Sequence, residues 1–225
     1  MKLSEKTLSI LKNFATINSG IAFKVGNKIS TVSPQKNILA DAVIEETIPR
    51  NFCIYDLTNF LSVISLFKEG AELEFDDKNV LVAGMDGRSK IKYRYTDSSM
   101  VVGAPDKRPN LQEVDVKFVF TQEDFSWILR TASVLGSPNV AIQSDGTTVS
   151  LSTFDSANDS SHSNNMVLEN VDAGGKSYML VFKTENLKMI PGNYDVEISS
   201  KGIAKFIGTA DNLLYYVTLE TSSKY

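Results

Sequence analysis

Residues 3 to 21, LSEKTLSILKNFATINSGI, constrain the fold more tightly than any other stretch, because they read as one helix that must stop and run straight into a strand. At roughly 100° per residue, Leu3, Ile10, Leu11 and Phe14 share one face, with Leu8 and Ala15 at its margins. Lys2, Lys6, Ser9, Asn13 and Thr16 lie opposite, with Lys12 at the flank. Ser4 is placed to cap the helix, and Asn18-Ser19-Gly20 to stop it before the strand at residues 21–25. The helix thus has an apolar back and a front of lysine, serine and asparagine. That front is either a solvated surface or it faces something anionic.

Charge narrows this choice without closing it. The chain of 225 residues carries a formal net charge of −4, which argues against gripping nucleic acid with the whole surface. The helix-like stretches 2–14, 56–68, 121–133 and 183–188 together carry +2, leaving −6 on the rest. No apolar run approaches the roughly 20 residues needed to span a bilayer, and no secretory leader is expected. The one cysteine, Cys53, forms no internal disulfide and fits a reducing compartment. The expected class is a soluble cytoplasmic protein.

After the first helix, residues 21–25 and 28–32 alternate about Gly26-Asn27, a pair of the kind that closes a hairpin. Strands follow at 38–44 and 52–55. Asp56 caps a second helix with Leu57, Phe60, Leu61 and Ile64 on one stripe. Gly70 ends it, and strands at 72–75, 80–83 and 90–95 come next. The periodicity breaks over residues 97–113, which contain Pro105 and Pro109, and then the order restarts. A strand at 114–120 leads into a Thr121-capped helix with Phe125, Ile128, Leu129, Ala132 and Leu135 inward. Strands at 139–144, 148–154, 166–171 and 178–182 precede a short helix near 184–190 and three final strands.

The two halves superpose segment by segment. Ile10-Leu11-Lys12 matches Ile128-Leu129-Arg130 at a spacing of 118, and Asn59-Phe60 matches Asn186-Leu187 at 127. Leu73-Glu74-Phe75 matches Val196-Glu197-Ile198 at 123. The expected class is α+β, with two similar domains, 1–98 and 113–225, joined by a connector at 99–112. Each domain is expected to pack two helices on antiparallel sheets.

Catalytic chemistry is missing. His162, the only histidine, lies in a serine- and asparagine-rich loop, where solvation is its ordinary state. Cys53 reads as a small apolar side chain on a buried strand. Metal-ligand spacing, a dinucleotide turn, a P-loop and a nucleophile elbow are absent. The acidic pairs Glu45-Glu46 and Asp76-Asp77 read as solubilising charge. No enzyme activity, cofactor or metal is expected.

Particular residues then carry a resemblance. Met1-Lys2-Leu3-Ser4, with residues 11–21, LKNFATINSGI, resembles the start of the DNA polymerase sliding clamps of T-even-type bacteriophages. Ile54-Tyr55-Asp56-Leu57 with Phe60-Leu61, and Lys188-Met189 followed by Pro191-Gly192-Asn193-Tyr194, are similar to later landmarks of that family. Over residues 97–175 the likeness is one of pattern only. The resemblance implies a DNA-clamp fold and a processivity factor: a closed homotrimer of six similar domains around double-stranded DNA, with helices lining the hole. It further implies opening by a clamp loader, partners that include the DNA polymerase and transcription factors, no membrane, and a life in the cytoplasm of the infected host cell.

Under that reading Lys2, Lys6, Lys12, Asn13, Arg130, Lys183 and Lys188 are the candidates to face DNA. Lys12 and Arg130 lead because they occupy equivalent places in the repeat. Trp127, on the polar side of its helix, suits a subunit contact or a partly shielded surface better than stacking on bases, since a threaded duplex offers none unpaired. Partner peptides are expected at Val101, Val102 and Pro105 of the connector and at the tail, residues 221–225, ending in Tyr225; ordinary packing of the linker is the competing reading there. The rival to the whole scheme is a two-domain β-rich interaction or assembly protein with no DNA role.

Overall fold

The computed structural model describes residues 1–67, 70–111, 113–158, 160–210 and 212–225. Lys68 of the second helix-like stretch, Gln112 of the connector and Asp159 of the polar loop therefore lie outside the described residues. The chain divides into two compact units, residues 1–108 and 109–225.

The first unit opens with α1 (Glu5–Ile17). The Ser4 hydroxyl accepts the Thr7 amide at 3.2 Å, and Asn18 closes the helix through its own amide to the Phe14 carbonyl. Ile10, Leu11, Phe14 and Ile17 are buried. Then come β1 (Ile21–Phe23), β2 (Gly26–Val32), β3 (Ile38–Ile48), β4 (Phe52–Ile54), α2 (Leu57–Ser65), β5 (Ala71–Phe75), β6 (Asn79–Gly84) and β7 (Lys90–Arg94). β5, β6 and β7 form an antiparallel meander, and β2 pairs with β3.

The expected hairpin about Gly26-Asn27 does not form. β1 pairs instead with β4, Ala22 opposite Cys53, and Gly26 at φ 115° is the first residue of β2. The aromatic rings explain the choice. Phe23 stacks on Phe52 at 4.6 Å, and Phe52 stacks on Tyr95 at 4.9 Å, so burial draws β1 to a strand thirty residues on.

The second unit runs β8 (Val116–Phe120), α3 (Gln122–Leu135), β9 (Asn139–Asp145), β10 (Val149–Phe154), β11 (Asn164–Val167), β12 (Ser177–Lys183), β13 (Tyr194–Ser199), β14 (Ile203–Gly208) and β15 (Leu213–Thr218). Its strands lie in the orders β11-β10-β9-β12 and β15-β14-β13-β8. Thr121 caps α3, and Gly136, at φ 64°, supplies the left-handed residue that ends it. Phe125, Tyr194, Phe206 and Tyr215 meet edge to face in the core.

A second helix in this unit was expected near 184–190, but the structure has one 3-10 turn, Thr184–Asn186. Leu187 and Met189 are both buried while Lys188 between them is exposed, an alternation that suits extended chain. Pro191 then excludes helical continuation. The turn is held by the Thr184 amide and hydroxyl, which donate to the Pro138 and Ser137 carbonyls at 2.9 Å.

Two acidic positions read as solubilising charge have structural work. Glu46 accepts the Thr7 hydroxyl at 2.6 Å and also the Ser4 amide, which ties the first turn of α1 to β3. Asp76 accepts the Lys78 and Asn79 amides at 2.7 and 2.6 Å and so forms the β5–β6 turn. Burial opposes the charge on Glu46, but the hydrogen bonds from Thr7 and Ser4 outweigh it and lower its pKa.

Candidate nucleic-acid interface

The helix fronts carry the charge in small amounts. On α1, Lys6 and Lys12 are exposed and Asn13 is half-buried, with exposed Lys2 just before the helix. Lys2 and Lys12 line one cleft of about 330 Å³, whose wall includes Leu61, Ile64 and Phe67. Glu5 lines it too, an acid absent from the lysine face drawn from sequence. Its place in the first turn of α1 suits the helix dipole and dilutes the basic front.

The front of α2 carries no charge. Thr58, Asn59, Ser62 and Ser65 are its exposed residues. The Ser62 hydroxyl donates to the Thr58 carbonyl at 2.8 Å and the Ser65 hydroxyl to the Ser62 carbonyl at 2.7 Å. On α1, Thr16 does the same toward Asn13 at 2.7 Å. This hydroxyl row was missed from sequence, although its i, i+4 spacing opposite Leu57, Phe60, Leu61 and Ile64 was legible.

On α3, Arg130 is exposed opposite the buried Phe125, Ile128 and Ala132, and Lys12, read from sequence as a flanking residue, is likewise exposed opposite Ile10, Leu11 and Phe14 on α1. Glu123 shares its face, so the exposed side of α3 is close to neutral. Lys183 ends β12, Lys188 follows the 3-10 turn, and both are exposed about an exposed Glu185. Among the described residues no three histidine, cysteine or acidic side chains cluster as metal ligands, and no helix is long and apolar enough to cross a membrane. The Cys53 thiol is half-buried, and burial pushes its pKa up.

The connector residues up to Arg108 are built into the first unit. The Asn18 amide group donates to the Val32 carbonyl at 2.9 Å and the Val102 carbonyl at 3.0 Å. Arg108 binds Asp41 through Nε and Nη2, each at 2.6 Å, and Nη2 also reaches the Ser30 hydroxyl at 2.9 Å. Burial alone would raise the Asp41 pKa, but the hydrogen bonds of Arg108 and Ser30 and the charges of Arg108 and Lys28 prevail and lower it. Lys24 pairs with Asp106. A cleft of about 300 Å³ lies between β1, β2 and this connector, lined by Ala22, Val25, Lys28, Gly103 and Ala104. Val102 is exposed, while Val101 and Ala104 are half-buried. Tyr225 belongs to the second unit, where its hydroxyl donates to the Ser199 carbonyl at 2.9 Å and Lys224 pairs with Met179. The expected docking residues thus divide between the two units.

Comparison with known proteins completes the picture. The family model described as DNA polymerase processivity factor matches residues 2–103, and that of the gp45 sliding clamp, C terminal, matches residues 115–221. The sliding clamp of Enterobacteria phage T4 is 34% identical over 232 residues, covering 100% of this chain and 99% of that protein. The sliding clamp of Vibrio phage KVP40 is 32% identical over 224 residues, covering 98% and 99%. Among solved structures, the proliferating cellular nuclear antigen of Entamoeba histolytica aligns at TM-score 0.67 and 15% identity over 97% of both chains. The H. pylori beta clamp aligns at 0.71 and 13% identity, over 98% of this chain and 66% of that one.

Proposed function

The chain belongs to the phage sliding-clamp family of DNA polymerase processivity factors, and we propose that three copies close into a ring around double-stranded DNA to tether the polymerase. The observation that carries this is full-length relatedness to sliding clamps, borne by two α/β units that each present a helix with a cation opposite its core. The same relatedness favours this reading over a β-rich assembly protein.

The function is non-enzymatic: the chain holds other proteins to DNA and makes or breaks no bond. Lys2, Lys6, Lys12, Asn13, Arg130, Lys183 and Lys188 face the duplex. Direct neutralisation of about 6–10 phosphates makes binding collapse between low and moderate salt. A few exposed lysines, diluted by Glu5 and Glu123, give weak and sequence-blind attraction, and the closed ring does the retaining. Tethering raises the effective concentration of a docked polymerase to the millimolar order for a short flexible link. A clamp loader opens the ring, and transcription factors share the docking surfaces, with Val101, Val102 and Pro105 on one unit and Tyr225 on the other. The setting is the cytoplasm of the infected host cell.

The test compares retention on circular and linearised DNA at moderate salt after loading. Retention on the circle and loss from the linear form is expected; equal retention on both overturns topological linkage. Light scattering at micromolar concentration should give the mass of three chains.

A further inference from the structure

The cleft of about 330 Å³ that Lys2 and Lys12 line is built differently from the surface around it. The exposed residues of α1 and α2 are all polar, yet Leu3, Leu8, Leu61, Ile64, Phe67 and Leu73 wall this cleft. Leu8 and Phe67 are only half-buried, so part of the wall is open to solvent. Its size falls at the low end for small-molecule sites, roughly 300–1,000 Å³.

Gly70 sets the position of one cation at the rim. Its φ of 98° suits glycine, and a Cβ there would lie 2.7 Å from Lys2 Cε and 3.0 Å from Lys2 Nζ. Bare backbone thus lets the Lys2 stem lie along the edge of the cleft with its ammonium at the mouth. Lys12 reaches the same cleft from α1, and among the described residues neither lysine has an acid within ion-pair distance. Glu5 is the one acid among the lining residues described, so two cations and one anion leave the rim at +1. That charge suits a single carboxylate and disfavours a polyphosphate.

We propose that this cleft binds one small amphipathic monoanion, a carboxylate carried on an aliphatic chain. The chain lies along the leucine and phenylalanine walls, and the carboxylate sits between Lys2 and Lys12. Each methylene buried there adds up to about fourfold in affinity, and each exposed charge pair about twofold to fivefold. The site stands on the first unit alone. Its consequence for DNA rests on the ring reading above: a bound carboxylate occupies two of the cations offered to the duplex.

Isothermal titration of the intact chain with decanoate, kept below its micelle concentration, tests the site. One saturable site per chain is expected, with affinity rising from hexanoate to decanoate by up to about fourfold per methylene. Lys2→Gln and Lys12→Gln should each weaken binding about twofold to fivefold. Ser65→Trp, at an exposed position on the cleft wall, should fill the mouth, abolish binding and leave the circular dichroism melt unchanged. Decanol bound as tightly as decanoate overturns the role of the cations, and decanoate binding untouched by all three substitutions overturns the site. Loading of the parent onto DNA should fall with decanoate and that of Ser65→Trp should not; equal loading overturns the competition. A trimer that binds no decanoate overturns the site and leaves the ring standing. A chain that binds decanoate in this way but is monomeric at every concentration overturns the ring and leaves the site.

Discussion

Arg108 grips Asp41 through two 2.6 Å hydrogen bonds, Nε to Oδ2 and Nη2 to Oδ1, at a carboxylate whose side chain is 5% exposed. The pair fixes the last residue of the first unit to β3. Among the described residues, Lys28 at 3.3 Å and the Ser30 hydroxyl at 2.6 Å would remain on Asp41 if Arg108 were lost. Arg108→Ala should therefore cost about 3 kcal/mol in denaturant unfolding, the low end for a broken buried pair, because Lys28 persists. The Asp41 pKa is depressed in the folded state, so its contribution is complete above the ordinary value of 3.8 and falls away as pH drops below it. The variant should show a flatter acid limb in the same range.

Thr7→Val removes the hydroxyl that Glu46 accepts and keeps the side-chain shape. A loss of about 1 kcal/mol is expected, measured by urea titration at neutral pH. Glu46 has a lowered pKa, so stability drawn from it is present above its ordinary value of 4.5 and is lost as pH falls through the folded value. The difference between variant and parent should shrink on acidification.

Gly20 sits where a Cβ would lie 3.2 Å from Val101 Cγ1 and 3.3 Å from the Ile54 and Tyr55 carbonyls. Two of those neighbours are backbone and have little room to move. Gly20→Ala should destabilise the chain by about 1–2 kcal/mol through overpacking, read from the midpoint of chemical unfolding. Amide exchange around Val101 and Val102 should quicken with it.

Lys12→Glu and Arg130→Glu reverse two exposed charges opposite the helix cores. DNA loading should fall severalfold while the mass in solution stays that of the parent. Neutralising either residue should flatten the dependence of log affinity on log salt by about one. Loss of assembly instead would put these residues on the wrong face.

Local signals were legible in the sequence, and partners across distance were not. The Ser4 and Thr121 caps, the α1 stripe, the Gly136 stop and the doubled order of elements all follow from rules that act within a few residues. The partner of β1 did not, because the Phe23–Phe52 stack that decides it is set by burial rather than by the turn beside it. The missing helix after β12 went unseen for a related reason: Leu187, Met189 and Pro191 fit a short helix or an extended run equally until Thr184 is seen bonded to Ser137 and Pro138. For the candidate site, cations were readable one by one. Their dilution by Glu5 needed the cleft that it shares with Lys2 and Lys12, whereas the hydroxyl front of α2 was written in its own spacing.

Those hydroxyls bear on friction. Ser62, Ser65 and Thr16 each spend their proton on a carbonyl of their own helix. If these helix fronts face the duplex as proposed, a phosphate passing over them would meet no hydroxyl donor waiting to be satisfied, and so no site that is much better than its neighbour. Motion along the duplex would then be limited by the few exposed lysines, each a shallow dip in an otherwise smooth track, and the step between dips would be set by thermal energy rather than by bond breaking.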